Sequence, residues 1–297
     1  MTCNDELVSV VITTHNRLEK LKRAIASVER QTYKNIELLV IDDASNDGTR
    51  EWCNSQDFFQ YFFITADESK GACHARNVGL ENAAGNLIAF LDDDDEWMPD
   101  RIERQAEAIS PDISIVSCQW LVEKKNGKWM RCLSSDEDWL LPAILMRCWG
   151  GATSVPLLRV SAVRAVGGFD SEVVKGQDHD LWIRLISAGY KEKTVPQPLV
   201  RYYLSDDSVY VSLDRLIACT ERKLRVYEDL YDRYPDSRSY LLNETAFLCL
   251  KQKRFLLFIK YKLRALKSAP LSRWNLFELQ QIYFKLKGSD GFQVEQP

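Results

Sequence analysis

The sequence predicts an α/β protein in which a mostly parallel sheet is flanked by helices, followed by a helical C-terminal region. Short runs of β-branched and apolar residues alternate with amphipathic stretches over residues 8–118, which is typical of a parallel sheet covered on both faces. From Ser212 onward the pattern is helical. The 297 residues are 45% hydrophobic and 28% charged, an ordinary globular composition that excludes a fibrous or wholly disordered protein.

The elements of the first half follow from hydrophobic periodicity and from helix-ending residues. Buried strands are predicted where apolar residues run without interruption, at 8–14, 36–41, 61–65, 87–91 and 113–118. The first helix is predicted to begin at Asn16 as its cap, because the next apolar residues share one helical face: Leu18, Leu21, Ile25 and Val28. Two further helices are predicted over 72–84, where Gly85 stops the helix, and over 99–109.

Beyond residue 120 the alternation breaks. Residues 123–150 are irregular and rich in tryptophan. A helix over 179–188, ended by Gly189, is followed by predicted strands near 191–195 and 198–204.

Several classes of protein are disfavoured by what the sequence lacks. The eight cysteines form no CxxC pair and the three histidines are far apart, so a zinc site or a disulfide scaffold has little support. The apolar runs are far shorter than the roughly 20 residues that span a bilayer. The first residues lack the basic and apolar stretches of a signal peptide, and we expect a cytoplasmic protein.

Charge is distributed unevenly along the chain. Residues 251–288 hold ten lysines and arginines and one acidic residue, although the net charge of the chain is −4. An acidic body with a basic tail argues against nucleic-acid binding. The tail mixes its charges with large apolar side chains, so two interpretations stay open. Residues 251–288 bind an anionic membrane surface peripherally, or they form helices that pack on the body and expose their lysines.

Polar residues follow three of the predicted strands. Residues 13–16 (TTHN) follow the first, Asp42 and Asp43 follow the second, and Asp92–Asp95 follow the fourth. Ligands of open parallel sheets bind beyond the carboxyl ends of the strands. We therefore expect these three clusters to converge at one edge.

The run Asp92–Asp95 is the sharpest of these features. Four adjacent carboxylates repel one another, and a divalent cation with oxygen ligands would offset that cost. Mn²⁺ or Mg²⁺ fits, because such ions are held by few carboxylates together with substrate phosphates. The competing interpretation is a solvated acidic turn before a helix.

Two other segments carry candidate functional residues. Arg76, near the start of the predicted helix 72–84, is a candidate for binding an anion, and a solvated arginine on the helix surface is the alternative. Asp178 is predicted to lie just outside a helix, where it is either an N-cap or a general base.

Together these segments resemble the inverting glycosyltransferases of family 2, which have the GT-A fold. The matching stretches are VSVVITTHNR, ELLVIDDASNDGT, GACHARNVGLENAAGNLIAFLDDDDEW, VGGFD and GQDHDLWIRL, in order over residues 7–204. The resemblance implies a nucleotide-sugar-binding half at 1–110 and an acceptor-binding half at 111–211. The basic helical region 212–297 lies outside it.

The resemblance also implies a reaction and roles for individual residues. A single sugar would pass with inversion from a nucleotide-sugar, a UDP-sugar in particular, to a glycan or lipid-linked acceptor of a bacterial surface polysaccharide. By position, Asp178 resembles the catalytic base, and Asp94 with Asp92 resembles the metal ligands for Mn²⁺ or Mg²⁺. The residues assigned to the nucleotide are Thr13, Asp43, Arg76, Asp92 and Asp93, and Trp182 is assigned to the acceptor. Many members carry glutamate before the base, where this sequence has Gln177.

Two other functions stay open. A nucleotidyltransferase that makes a sugar nucleotide would need a glycine-rich basic loop after the first strand, which TTHNRLEK does not provide. A non-catalytic sugar-binding protein would use tryptophans as stacking platforms. The candidates for that role are Trp129, Trp139, Trp149 and Trp182.

Overall fold

A computed structural model describes residues 6–57, 59–64, 68–123, 129–132, 140–146, 151–203, 212–272 and 275. The chain divides into two compact units. The first comprises Met1–Ile144 and Cys148–Ser208, and the second comprises Leu145–Arg147 and Val209–Pro297.

The first unit is built on a sheet of nine described strands. They are β1 (Val8–Thr14), β2 (Ile36–Asp42), β3 (Gln60–Phe63), β4 (Leu87–Asp92), β5 (Glu96–Trp97), β6 (Ile113–Glu123), β7 (Trp129–Cys132), β8 (Leu157–Arg159) and β9 (Lys191–Tyr202). Their order across the sheet is β3-β2-β1-β4-β8-β6-β9-β5, and β7 pairs with β6.

The half of the sheet formed by β3, β2, β1 and β4 is entirely parallel. Its central strands are buried along almost their whole length, with Val8, Val10, Val11 and Ile12 of β1 completely inaccessible. Burial of both faces explains why these strands read as continuous apolar runs rather than as alternating patterns. From β1 to β3 each new strand is added on one side of β1, and β4 is then added on the other side. In open α/β sheets, ligands bind beside the point where the order of strands switches in this way.

Among the described residues, seven helices lie along the part of the chain that forms this sheet. They are α1 (Leu18–Glu29), α2 (Thr49–Asn54), α3 (Ala72–Asn82), α4 (Arg101–Ala108), α5 (Leu141–Met146), α6 (Val160–Ala165) and α7 (Gln177–Ser187). The last residues of α5 belong to the second unit. The face predicted for α1 packs inward through Leu21, Ile25 and Val28.

The predicted cap of α1 is wrong. The N-cap residue is Arg17, and Asn16 lies before it with a positive φ of 54°. The first amide of the helix, that of Leu18, instead donates to Asp47 over 3.0 Å. A side chain 29 residues away thus takes the role that the local sequence suggested for Asn16.

The second half of the sheet departs from a simple parallel succession. The strand β8 runs antiparallel to both β4 and β6, which places a reversed strand in the middle of the sheet. The two strands predicted near 191–195 and 198–204 form one strand, β9, whose pairing with β6 shifts register near Gln119. Pro196 and Pro198 interrupt the alternating pattern within β9 and made it read as two strands.

The second unit is helical in its described part. Its helices are α8 (Leu213–Val226), α9 (Glu228–Arg233), α10 (Pro235–Lys251) and α11 (Phe255–Ser268). Its buried core includes Leu242, Ala246 and Cys249 of α10, with Tyr261 and Ala265 of α11. Among the described residues, no helix is both long and apolar enough to cross a membrane.

Candidate active site

The carboxyl ends of three parallel strands meet at one edge of the first unit. Thr14 at the end of β1 is in register with Asp42 at the end of β2, and Thr13 is in register with Asp92 at the end of β4. The amide of Asp43 donates to the carbonyl of Thr14 over 2.9 Å. The predicted convergence of the three polar clusters is confirmed.

The four aspartates after β4 are held by different partners. Asp92 forms an ion pair with Arg76 at 2.6 Å. Asp93 accepts a hydrogen bond from the Thr14 hydroxyl at 2.8 Å and pairs with Arg17 at 3.1 Å.

The same guanidinium lies 3.2 Å from a carboxylate oxygen of Asp94. Asp95 is completely buried and accepts from the Ser154 hydroxyl at 2.6 Å. Because these four carboxylates are buried or half-buried and have protein partners, Asp92–Asp95 is not the solvated acidic turn that was the alternative.

Burial and mutual repulsion raise the pKa values of three of these carboxyl groups. Burial, with a smaller contribution from Asp94, raises the pKa of Asp93 to about 6, although Thr14 and Arg17 oppose the shift. Burial and the charge of Asp92 raise the pKa of Asp94 and hold that of Asp95 well above its usual range. Burial thus disfavours the charged form of these carboxyl groups, and a cation bound beside them would stabilise that charged form.

The donor set limits the kind of metal site that this edge can form. Across the described ranges, no three or more histidine, cysteine, aspartate or glutamate side chains come together in an arrangement that could hold a metal ion. A closed site made by protein alone is therefore not present in that part of the chain. The carboxylates of Asp92 and Asp94 fit an ion of another kind, one that takes one or two protein oxygens and completes its coordination with phosphate oxygens.

Asp43 ties the end of β2 to the segment that precedes α3. Its carboxylate accepts hydrogen bonds from the amides of Lys70 at 2.9 Å and Gly71 at 2.7 Å, and from the Ser69 hydroxyl. Gly71 precedes α3 with a φ of 88°, a conformation that side chains disfavour. Asp43 is almost fully buried, whereas Thr13 is half-buried. Their assignment to a nucleoside remains a prediction.

Arg76 lies inside the fold and not on the surface of α3. Its guanidinium donates to Asp92 at 2.6 Å and to the side-chain oxygen of Gln177 at 2.9 Å. Burial disfavours its charge, but Asp92 and, more weakly, Asp178 outweigh that cost and raise the pKa of Arg76. The alternative of a solvated arginine is therefore wrong. The predicted contact with nucleotide stays a prediction, since Arg76 here joins β4 to the start of α7.

The packing of α3 against β1 sets the position of Arg76. Gly79, one turn after Arg76, lies so close to the sheet that a Cβ there would be 2.3 Å from a methyl carbon of Val11. Only glycine allows this approach. The close contact brings α3 within reach of both Asp92 and Gln177.

Asp178 occupies the first turn of α7. The helix begins at Gln177 after Gly176, whose φ is 74°, so the prediction that Asp178 lies outside the helix and caps it is wrong. Asp178 is half-buried. Burial, together with the charges of Asp95, Asp92, Asp94 and Asp178, raises the pKa of Tyr202 to about 12. The charges of Asp178 and of the acidic run therefore act on the same tyrosine.

Trp182 does not fit its predicted contact with an acceptor. It lies one turn after Asp178 in α7 and is completely buried. No face of its ring is available for stacking on a sugar in this structure. The other tryptophans considered as stacking platforms, Trp139 and Trp149, lie outside the described residues, as does the side chain of Trp129.

Sequence reasoning missed three residues of this edge. Arg17 bridges Asp93 and Asp94, and its place in VSVVITTHNR directly after β1 was an available signal. Ser154 donates to Asp95 and accepts from the amide of Asp92. The third residue is Tyr202, on which the charges of the acidic run and Asp178 act. No local sequence pattern identifies Ser154 or Tyr202 as a residue of the site, because their contacts are with residues far along the chain.

Comparisons with known proteins agree with this architecture. The family model "Glycosyl transferase family 2" matches residues 9–150, and "Glycosyl transferase family group 2" matches residues 87–268. An Escherichia coli protein, UDP-Glc:alpha-D-GlcNAc-diphosphoundecaprenol beta-1,3-glucosyltransferase, is 30% identical over 188 residues, which cover 63% of this chain and 73% of that protein.

Two solved structures share the fold. A mannosyltransferase from Pyrobaculum calidifontis, in complex with GDP-Man and Mn²⁺, matches with a TM-score of 0.62 at 16% identity, over 95% of this chain and 81% of that chain. TarS residues 1–349 of S. aureus, in complex with UDP-GlcNAc, match with a TM-score of 0.61 at 13% identity, over 98% of both chains. The predicted GT-A fold is confirmed. The chain belongs to glycosyl transferase family 2 and is a glycosyltransferase.

Proposed function

We propose that this glycosyltransferase is metal-dependent and inverting, and that it moves a single sugar from a UDP-sugar to a hydroxyl of a lipid-linked saccharide. Assembly of a bacterial surface polysaccharide is the process we assign to it. The observation that carries the proposal is the chain of contacts from Asp92 through Arg76 to Gln177, which links the acidic run to the helix that bears Asp178.

The donor side of the site is assigned to the strand ends. Asp92 and Asp94 would hold Mn²⁺ or Mg²⁺ together with the diphosphate of the donor. When bound, such an ion acts as a Lewis acid on the diphosphate oxygens and stabilises the charge of the leaving group. Thr13 and Asp43 are assigned to the nucleoside. Asp93 is also assigned to the nucleotide site, where it accepts a hydrogen bond from Thr14 and pairs with Arg17.

The acceptor side is assigned to the start of α7. A sugar hydroxyl is a weak nucleophile until a base removes its proton, and the Asp178 carboxylate would take that proton. Attack from the side opposite the diphosphate then gives a single displacement with inversion. Arg76 fixes the first turn of α7 relative to β4, so it positions the base without touching the reacting atoms.

The assigned substrates have separate support. The E. coli relative is named for a UDP-sugar donor and an acceptor carried on diphosphoundecaprenol, and it matches across most of its length. A lipid-linked acceptor would require this enzyme to work at a membrane surface.

Asp178→Asn tests the proposed base. The amide cannot take the proton, and positioned general bases contribute typically about 10²–10⁴-fold to rate. We therefore expect loss of UDP release from a UDP-sugar with Mn²⁺ and a lipid-linked acceptor, while UDP binding measured by thermal shift is kept. The matched control is Asp112→Asn, an exposed aspartate, which should leave the rate unchanged.

The outcome of the same assay separates the competing functions. Release of UDP from the UDP-sugar indicates sugar transfer. A parallel assay with UTP and a sugar 1-phosphate tests the second function, because release of pyrophosphate there would indicate a nucleotidyltransferase. Binding of the UDP-sugar without release in either assay would indicate a sugar-nucleotide-binding protein. Full transfer activity in Asp178→Asn would remove Asp178 from the mechanism.

A further inference from the structure

The helix α11 exposes large apolar side chains to solvent. Leu256 is 85% exposed, Leu263 61%, Phe255 59% and Ile259 50%. At about 100° of rotation per residue, these four positions fall within an arc of about 100°. They form one continuous stripe, which we call the α11 apolar face.

The opposite side of α11 anchors the helix within the second unit. Tyr261 and Ala265 are completely buried there. The Tyr261 hydroxyl donates to Glu221 of α8 at 2.6 Å. Lys262 lies at the border of the apolar face beside Phe255, is buried, and donates through its ammonium to Asn243 of α10 at 2.7 Å. These directed contacts fix the rotation of α11. The apolar face is therefore exposed because these hydrogen bonds fix the orientation of α11. The helix directs apolar side chains to solvent while it buries the hydroxyl of Tyr261 and the ammonium of Lys262.

Exposed positive charge borders one side of this apolar face. The sequence has no acidic residue from 245 to 277. Exposed cations precede the helix at Lys253 and at Arg254, which lies 3.6 Å from Asp214 of α8, and Lys260 and Lys267 lie along one border of the apolar stripe. An apolar stripe about 100° wide with exposed lysines along one edge complements a surface that is negatively charged outside and apolar just beneath, which describes an anionic bilayer.

We propose that the α11 apolar face docks on a membrane rich in anionic phospholipid, with the helix lying in the plane of the interface. Phe255, Leu256, Ile259 and Leu263 enter the boundary between headgroups and acyl chains, and Lys260 and Lys267 contact lipid phosphates. The inference goes beyond sugar transfer, and a binding experiment without donor or acceptor tests it separately from the proposed reaction.

Vesicle sedimentation with the full chain measures the docking directly. Vesicles of phosphatidylglycerol should carry the protein into the pellet at low salt, and vesicles of phosphatidylcholine should carry much less. Added salt should weaken the binding, because it screens the lysines from the lipid phosphates.

Two double variants identify the face. Leu256→Ser with Leu263→Ser should lower the vesicle partition coefficient by at least about tenfold, because each leucine loses burial in lipid. Lys260→Gln with Lys267→Gln should lower it by about fivefold per lysine on anionic vesicles only. The matched controls are Leu140→Ser, an exposed leucine of the first unit, and Lys191→Gln with Lys193→Gln, two exposed lysines of β9. These controls should bind as the unaltered chain does.

Three results would overturn the proposal. The first is the absence of binding to phosphatidylglycerol vesicles, and the second is binding that the leucine variant leaves unchanged. The third is self-association through this face, seen in light scattering as a dimer that becomes a monomer in the leucine variant while vesicles stay unbound. Circular dichroism and the melting temperature verify that each variant is folded, which is expected because the altered side chains are exposed.

Discussion

At the end of β4 in the first unit, four consecutive aspartates are buried or half-buried and each contacts an arginine or a hydroxyl group. On α11 in the second unit, by contrast, large apolar side chains and lysines are exposed. Burial of the carboxylates costs free energy, and exposure of leucines forgoes a stabilisation that packing would give. In each unit some of the residues that oppose stability are those to which we assign a ligand, namely Asp94 in the first and the α11 apolar face in the second. The difference is that the first unit holds its site with specific ion pairs, while the second displays a surface.

The largest effect is expected for Asp94→Asn, which tests whether the buried carboxylates serve a metal. Loss of a metal ligand should lower the rate of UDP release at least about a hundredfold, since Lewis-acid stabilisation contributes several kcal/mol. Burial and repulsion from Asp92 raise the pKa of Asp94, so a neutral amide there should leave the melting temperature unchanged or higher.

A control for that variant comes from the second unit. Asp214→Asn removes an exposed carboxylate that lies 3.6 Å from Arg254. It should change neither the rate nor its dependence on Mn²⁺ concentration. Equal loss of activity in both variants would mean that net charge, and not a metal ligand, is responsible.

The next largest effect is expected on stability, for Arg76→Met. Removal of this buried guanidinium leaves Asp92 without its partner, and the free energy of unfolding should fall by about 3 kcal/mol. In the second unit, Arg264→Met breaks an ion pair with Glu221 in which both side chains are more than a third exposed, and the cost there should stay below about 1 kcal/mol. Urea titrations followed by circular dichroism measure both free energies of unfolding. If the two substitutions lowered them by similar amounts, the contrast between a buried ion pair in the first unit and an exposed one in the second would be contradicted.

The smallest of these effects is expected for Ser154→Ala. Asp95 is completely buried and would lose the hydroxyl that donates to it, so the free energy of unfolding should fall by about 2 kcal/mol. Thr245→Val in α10 removes a buried hydroxyl whose partners, Thr220 and the Leu241 carbonyl, are neutral, and it should cost about 1 kcal/mol. If Thr245→Val lowered the free energy of unfolding more than Ser154→Ala did in urea titrations, the claim that a buried carboxylate depends on its hydroxyl donor more than neutral groups do would be refuted.

The sequence was sufficient to predict the parallel strands and the edge where their polar ends meet. Both follow from local patterns, namely continuous apolar runs and the residues that end them. The reversed strand β8 could not be predicted in this way, because a strand of three residues carries no local information about its direction.

The partners of the charged residues were not predictable from local pattern either. Asp95 depends on Ser154, which lies 59 positions away, and Arg76 depends on Gln177, which lies 101 positions away. Trp182 shows the opposite error, because it was assigned to the acceptor and proved to be core. On α11 the apolar residues were visible in the sequence, but the direction in which they point was set by Glu221 and Asn243 on other helices.

The near contact between Gly79 and Val11 has a consequence for engineering of this enzyme. A methyl group at position 79 would push α3 away from β1 by steric overlap alone, and the displacement would be transmitted along one helical turn to Arg76. Libraries that aim to broaden donor choice should therefore leave Gly79 and Val11 unaltered, or change them together so that the volume added to one is taken from the other.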